Sequence, residues 1–207
     1  FPATVTKNVQ KFINGRDYSV TGIKANAFKS NTTLTSVVIP EGVTTIASNA
    51  FNGCTSLTSI SIPEGITTLE SSTFKGCTSL KTVTLPTTLT TMNGYLFQNC
   101  TALESISIPD SVTTFGSYLF DGCSKLTSVT LPNTLTAVPG YMFQNCTSLT
   151  EISIPVSVTK FGSNVFKGCS VLATINIPEG VTELGSQVFY ECKKLAEITL
   201  PNSLIKI

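Results

Sequence analysis

The 207-residue sequence predicts an elongated α/β solenoid, with a parallel β-sheet on its concave side and short strands and one-turn helices on its convex side. Three observations predict it. Proline recurs at 40, 63, 86, 109, 132, 155, 178 and 201, every 23 residues. Phenylalanine keeps the same spacing from Phe28 to Phe189, and leucine from Leu34 to Leu195. All seven cysteines obey it too, from Cys54 to Cys192, with no insertion or deletion between Phe28 and Pro201. A unit this short cannot bury an apolar face alone, so its coils must stack. At the usual ~4.8 Å between parallel strands, eight coils make a rod roughly 40 Å long.

Each element follows from one position in the unit. In the coil that begins at Leu57, Ile60 and Ile62 alternate with Ser59 and Ser61, which predicts a strand with the isoleucines inward. Pro63 has no N–H to donate and ends that strand at the same place in every coil. Ile66 and Leu69 around Thr67 predict a second, shorter inward-facing edge. The segment before each cysteine reads as one helical turn, with Ser48, Ser117, Ser163 and Ser186 as N-caps. Gly53, Gly76, Asn99, Gly122, Asn145 and Gly168 would close it in the left-handed conformation, and Glu191 predicts a looser turn in the last full coil. Residues 1–19 are expected to form an irregular N-terminal segment or first coil, and residues 20–207 about eight repeats, the last incomplete. Ile205 and Ile207 offer no polar cap, which predicts a segment of a longer protein.

Composition removes several functional classes. The chain has no histidine, so no Ser-His-Asp or Cys-His nucleophile and no His-ligated metal can be built. Its formal net charge is +1, with only 13 Lys and Arg, which is a poor match to a phosphate backbone; nucleic acid is not expected as a partner. No apolar run approaches the ~20 residues that span a bilayer.

The pattern C-x-x-L-x-x-I-x-I-P-x-x-V-T-x-I-x-x-x-x-F-x-x-C, carried for example by Leu103-x-x-Ile106-x-Ile108, resembles the BspA-like (Treponema-type) leucine-rich repeats over about residues 20–207. The resemblance makes the expected fold an α/β leucine-rich-repeat solenoid. It also implies a secreted or cell-surface module for recognition and adhesion, with no enzymatic activity. Its partners would be surface or extracellular-matrix proteins of a host or of neighbouring cells. The alternative is a spacer solenoid that presents another domain and binds nothing itself.

Two surfaces are candidates for contact. Tyr95, Tyr118 and Tyr141 stand two residues before the phenylalanine on three consecutive coils. Tyrosine is enriched at binding surfaces because it offers large area at low entropy cost. The predicted concave sheet is hydroxyl-rich, with Ser105, Ser107, Ser128, Thr130, Glu151 and Ser153 near its middle. Small β-forming residues also suit a crowded sheet without any ligand. Glu41, Glu64, Asp110 and Glu179 share one position after the proline and read as a solvated rim rather than a catalytic pair. No cofactor or metal site is expected. Stacking would bring successive thiols close, which leaves disulfides open by spacing, but free cysteine packs as a small apolar group and favours a buried ladder.

Overall fold

The computed structural model describes residues 11–13, 16–18 and 20–207. The expected irregular segment 1–19 therefore lies largely outside the described residues. Within it, β1 (Lys11–Ile13) and β2 (Arg16–Tyr18) pair antiparallel. Every later pairing is parallel and offset by 23 residues, as a stack of coils of equal length requires.

Two strand-bearing faces run along the stack. The threonine face consists of β3 (Gly22–Ile23), β4 (Thr45–Ile46), β6 (Thr68–Leu69), β8 (Thr91–Met92), β10 (Thr114–Phe115), β12 (Ala137–Val138), β13 (Lys160–Phe161) and β14 (Glu183–Leu184). The serine face carries β5 (Ser59–Ser61), β7 (Thr82–Thr84), β9 (Ser105–Ser107) and β11 (Ser128–Thr130). The inward alternation read from sequence holds: Ile60 and Ile106 are buried between exposed serines.

The threonine face is continuous from β3 to β10 and again from β12 to β14, with one break between them. In most other coils the residue just after this short strand donates its N–H to the preceding coil, as in Gly116 to Met92 O (2.8 Å) and Gly162 to Val138 O (2.8 Å). Pro139 occupies that position after β12 and has no N–H to give. The serine face divides differently, into the pairs β5–β7 and β9–β11.

The one-turn helices expected on the third side do not form; among the described residues there is no helix. A ribbon of tight turns replaces them. In the coil of Phe51, the N–H groups of Ala50, Asn52 and Cys54 close turns onto Ala47, Asn49 and Phe51. The alternate N–H groups of Asn49, Phe51 and Gly53 cross to Ser71, Thr73 and Lys75 of the next coil. Asn49 (φ 58°) and Gly53 (φ 73°) are both left-handed, so the right-handed geometry of a helix cannot propagate between them. The expected left-handed closure is found at every position named for it. It extends to Glu191 (φ 62°), whose turn closes through Lys193 N–H to Glu191 O (3.0 Å), as those of Gly53, Gly122, Asn145 and Gly168 do. The looser turn expected there is thus corrected.

The core is a set of side-chain ladders along the axis. From Phe28 to Phe189 each phenylalanine ring stacks on the next, with centroids 5.2–5.8 Å apart and planes within 7°. Leucine, isoleucine or valine, and cysteine ladders fill the remaining interior.

Candidate functional site

The tyrosine row sits on the turn ribbon. Tyr95, Tyr118 and Tyr141 adopt φ of 61°, 61° and 62°, a conformation that bulky residues seldom take. The same row elsewhere carries Asn49 and Asn164, which tolerate it well. The rings stack on one another, with centroids 4.8 Å apart for Tyr95–Tyr118 and 4.2 Å for Tyr118–Tyr141. Lys75 Nζ lies 5.5 Å from the Tyr95 centroid, over the outer face of the stack. Tyr95 is exposed and the other two are half-buried. Desolvation raises the Tyr118 phenol above its ordinary value, and the neighbouring Tyr141 hydroxyl adds to the shift. Ring faces are therefore largely covered by each other and the row presents ring edges and hydroxyls.

Beside the row lies a carboxylate that the sequence reading did not single out. Asp121 is only 8% exposed and accepts from Gln98 Nε2 (2.8 Å), Gln144 Nε2 (3.2 Å) and Asn145 Nδ2 (3.4 Å). Its partners come from the coils on either side, so it braces the ribbon that holds the tyrosines. Spacing could have revealed it, because Gln98, Asp121 and Gln144 are each 23 residues apart.

The hydroxyl candidates lie on the serine face, a different segment of the coil from the tyrosines. Ser105 pairs with Ser128 and Ser107 with Thr130 in the β9–β11 ladder. Glu151 and Ser153 fall in register with them but outside any ladder. All six side chains belong to exposed residues.

Three of the four post-proline carboxylates have a structural role. Glu64 accepts from the N–H of Thr87 (3.0 Å) and of Thr88 (3.3 Å), Asp110 from Asn133 N–H (2.7 Å), and Glu179 from Asn202 N–H (3.1 Å). Each ties one coil to the next. These bonds, the Thr87 N–H first, hold the Glu64 carboxyl below its ordinary value.

The seven thiols are free and buried, and none is joined in a disulfide. Each donates to the carbonyl of the phenylalanine 26 residues earlier, at 3.1–3.2 Å. Burial pushes them up, Cys77 and Cys169 to about 12 and Cys192 to about 11. Among the described residues no group of three or more Cys, Asp or Glu could hold a metal ion.

A pH dependence follows from the thiols. Below the ordinary thiol value of 9.0, both folded and unfolded chains keep them protonated and stability is fully present. Above it the unfolded chain ionises first, so stability is lost as pH rises from 9 toward 12. The slope is about 1.4 kcal/mol per pH unit for each coupled thiol. Melting temperatures measured from pH 7 upward are expected to fall steeply beyond pH 9, and less steeply in Cys100→Ala/Cys123→Ala. Equal slopes in both proteins would contradict this account.

Comparison with known proteins places this geometry. The sequence profile of the BspA type leucine rich repeat region matches in six copies over residues 12–127 and 90–207. The chain belongs to the BspA-type leucine-rich repeat family. A leucine-rich repeat protein from Bacteroides ovatus superposes with a TM-score of 0.90 at 28% identity, over 93% of this chain and 50% of that one. The Treponema pallidum leucine-rich repeat protein gives 0.75 at 32% identity, over 79% of this chain and 78% of that one. The pneumococcal vaccine antigen PcpA, 22% identical with a TM-score of 0.62, shares the fold over 97% of this chain and 60% of its own length. A sequence search among curated proteins finds no match. The BspA-type chain thus spans half the length of the Bacteroides ovatus protein it resembles. No helix among its described residues is long and apolar enough to cross a membrane.

Proposed function

We propose that this chain is a non-enzymatic recognition and adhesion module of a secreted or cell-surface protein. Its partners are surface or extracellular-matrix proteins of a host or of neighbouring cells. Membership of the repeat family supports the class of role, and one observation carries the site: three consecutive tyrosines held left-handed on an accessible ribbon.

The magnitudes favour contact over stability as the reason for those tyrosines. A left-handed bulky residue costs about 1 kcal/mol or more, so three cost about 3 kcal/mol. Two stacked ring pairs offset about 0.5–1.5 kcal/mol each. The net effect on folding lies between about zero and 2 kcal/mol unfavourable, whereas asparagine, already present at Asn49 and Asn164, takes this backbone at lower cost. A residue choice that does not improve folding but presents three hydroxyl-tipped rings fits a contact surface.

The triple variant Tyr95→Asn/Tyr118→Asn/Tyr141→Asn is expected to keep or slightly raise the melting temperature and to lose adhesion. Surface plasmon resonance against immobilised extracellular-matrix proteins at physiological salt, and adhesion to epithelial cells, read the effect. A triple variant that adheres as well as the parent would remove the tyrosine row from the site. Absence of saturable binding by the parent itself would leave a spacer solenoid.

A further inference from the structure

The serine face changes character beyond β11. The segments Glu151–Ser153 and Thr174–Asn176 continue the 23-residue register, and Ile152 and Ile175 are buried like Ile106. Yet among the described residues none of their main-chain N–H or C=O groups hydrogen-bonds to the protein. The opening is confined to this face. On the threonine face the same coils stay laced, Ala137 to Lys160 and Lys160 to Glu183. The turn ribbon is intact there too, with Phe143 N–H on Val165 O (2.9 Å) and Phe166 N–H on Val188 O (2.9 Å).

The opening is a groove of about 650 Å³ that reaches across four coils, from Thr127 to Thr199. Ser128, Thr150, Ser153 and Thr174 supply hydroxyls, Asn176 an amide and Glu151 the carboxylate, over a floor that includes Ile152 and Ile175. Four side-chain hydroxyls, the Asn176 amide and the Glu151 carboxylate make a mixed donor and acceptor array beside buried side chains. An occupant that satisfies it must both donate and accept at short intervals, which is what a hydroxyl group does.

Other occupants fit less well. No lysine or arginine lines the groove, so a sulfated or phosphorylated ligand would meet Glu151 with nothing to neutralise it. No aromatic ring and no deep apolar socket is present for the anchor side chains of a protein partner. An extended peptide could lace to the main chain, but the small Ser and Thr side chains form no pockets for its alternate residues.

We propose that this groove binds a neutral oligosaccharide, laid along the coil axis from Ser128 to Asn176. The site is distinct from the tyrosine row and goes beyond the protein-recognition reading, so each can fail without the other.

Calorimetry and amide-shift titration of the whole chain test it with maltohexaose, cellohexaose, xylohexaose and mannohexaose, a heparin hexasaccharide and a strand-forming peptide. At least one neutral hexasaccharide is expected to saturate, with shifts concentrated at residues 127–130, 150–153 and 174–176, and the heparin fragment is expected not to bind. Ser153→Val/Asn176→Val, which keeps β-forming side chains, should weaken binding by about tenfold or more with melting unchanged. Glu151→Gln should weaken it less, and the triple tyrosine variant should bind as the parent does. Failure of every neutral hexasaccharide at millimolar concentration, preference for the peptide or heparin fragment, or undiminished binding by Ser153→Val/Asn176→Val would overturn the proposal. If the valine pair melts lower, Glu151→Gln decides, since equal affinity there overturns it as well.

Discussion

Replacing Phe120 with alanine is expected to lower the unfolding free energy by about 3–5 kcal/mol. The ring is fully buried and stacked between Phe97 at 5.6 Å and Phe143 at 5.7 Å, with interplanar angles of 3° and 5°. Its removal deletes both stacked contacts, about 0.5–1.5 kcal/mol each, besides the transfer energy of the side chain. Collapse into the cavity is resisted because the flanking rings hang on main chain fixed between coils. Phe97 N–H is bonded to Leu119 O (2.9 Å) and Phe143 N–H to Val165 O (2.9 Å). Coils touch only their neighbours, so a weak interface in mid-stack also separates the array into two unfolding units. Urea denaturation followed by circular dichroism should show a lower midpoint and a shallower or biphasic transition. Phe189, partly buried and stacked on one described neighbour, should cost only about 2 kcal/mol as alanine. A loss below about 1 kcal/mol at Phe120 would show that the phenylalanine ladder is not the spine of the core.

Adding one methyl group at Gly116 should cost nearly as much. A Cβ there would run into the main chain of the adjoining coil, colliding with Gly94 N and lying 2.6 Å from Gly94 Cα and 2.7 Å from Asn93 C. Such contacts are with backbone, which can retreat only by breaking the bond from Gly116 N–H to Met92 O (2.8 Å). Overpacking of this kind costs about 3 kcal/mol, which for a chain of this size lowers melting by about 6–12 °C. Gly42→Ala is the control: its nearest neighbour would be Val20 O at 4.0 Å, and its φ is not left-handed. It should melt unchanged or slightly higher. Equal melting of the two variants in calorimetry would refute the claim that close approach of coils selects glycine at 116.

Much of this architecture can be read from the period alone. The inward residues Ile60, Phe74, Cys77 and Leu80 are buried as the repeat implies, and Pro63 follows the strand it was expected to end. The helical turn was misread because its signals are ambiguous: Ser48, Asn49 and Gly53 suit a capped helix and a pair of left-handed turns equally. The deciding bonds, such as Phe51 N–H to Thr73 O, join different coils and are invisible within one unit. The conformation of Tyr118 was hidden by its bulk, since tyrosine does not advertise a left-handed position; Asn49 and Asn164 in the same row do. The carboxylates at 64, 110 and 179 share one position of the repeat, but the N–H groups they accept from again sit a full coil away. The groove beyond β11 leaves the register untouched and arises from bonds that are not made, for which a repeat pattern holds no signal.

The direction of the main-chain bonds bears on how long such a stack can be. On the turn ribbon the inter-coil N–H groups point to the following coil, as from Phe51 to Thr73, while on the threonine face they point mainly to the preceding one, as from Thr90 to Thr67, with Leu184 to Lys206 running the other way. Peptide dipoles on the two sides therefore oppose each other, unlike those of an α-helix, which align and leave partial charges at its ends. Adding a coil therefore contributes less polarisation along the axis than an aligned set of the same peptides would. A stack lengthened by duplication thus builds a weaker field along its axis than a helix, whose peptides all point one way.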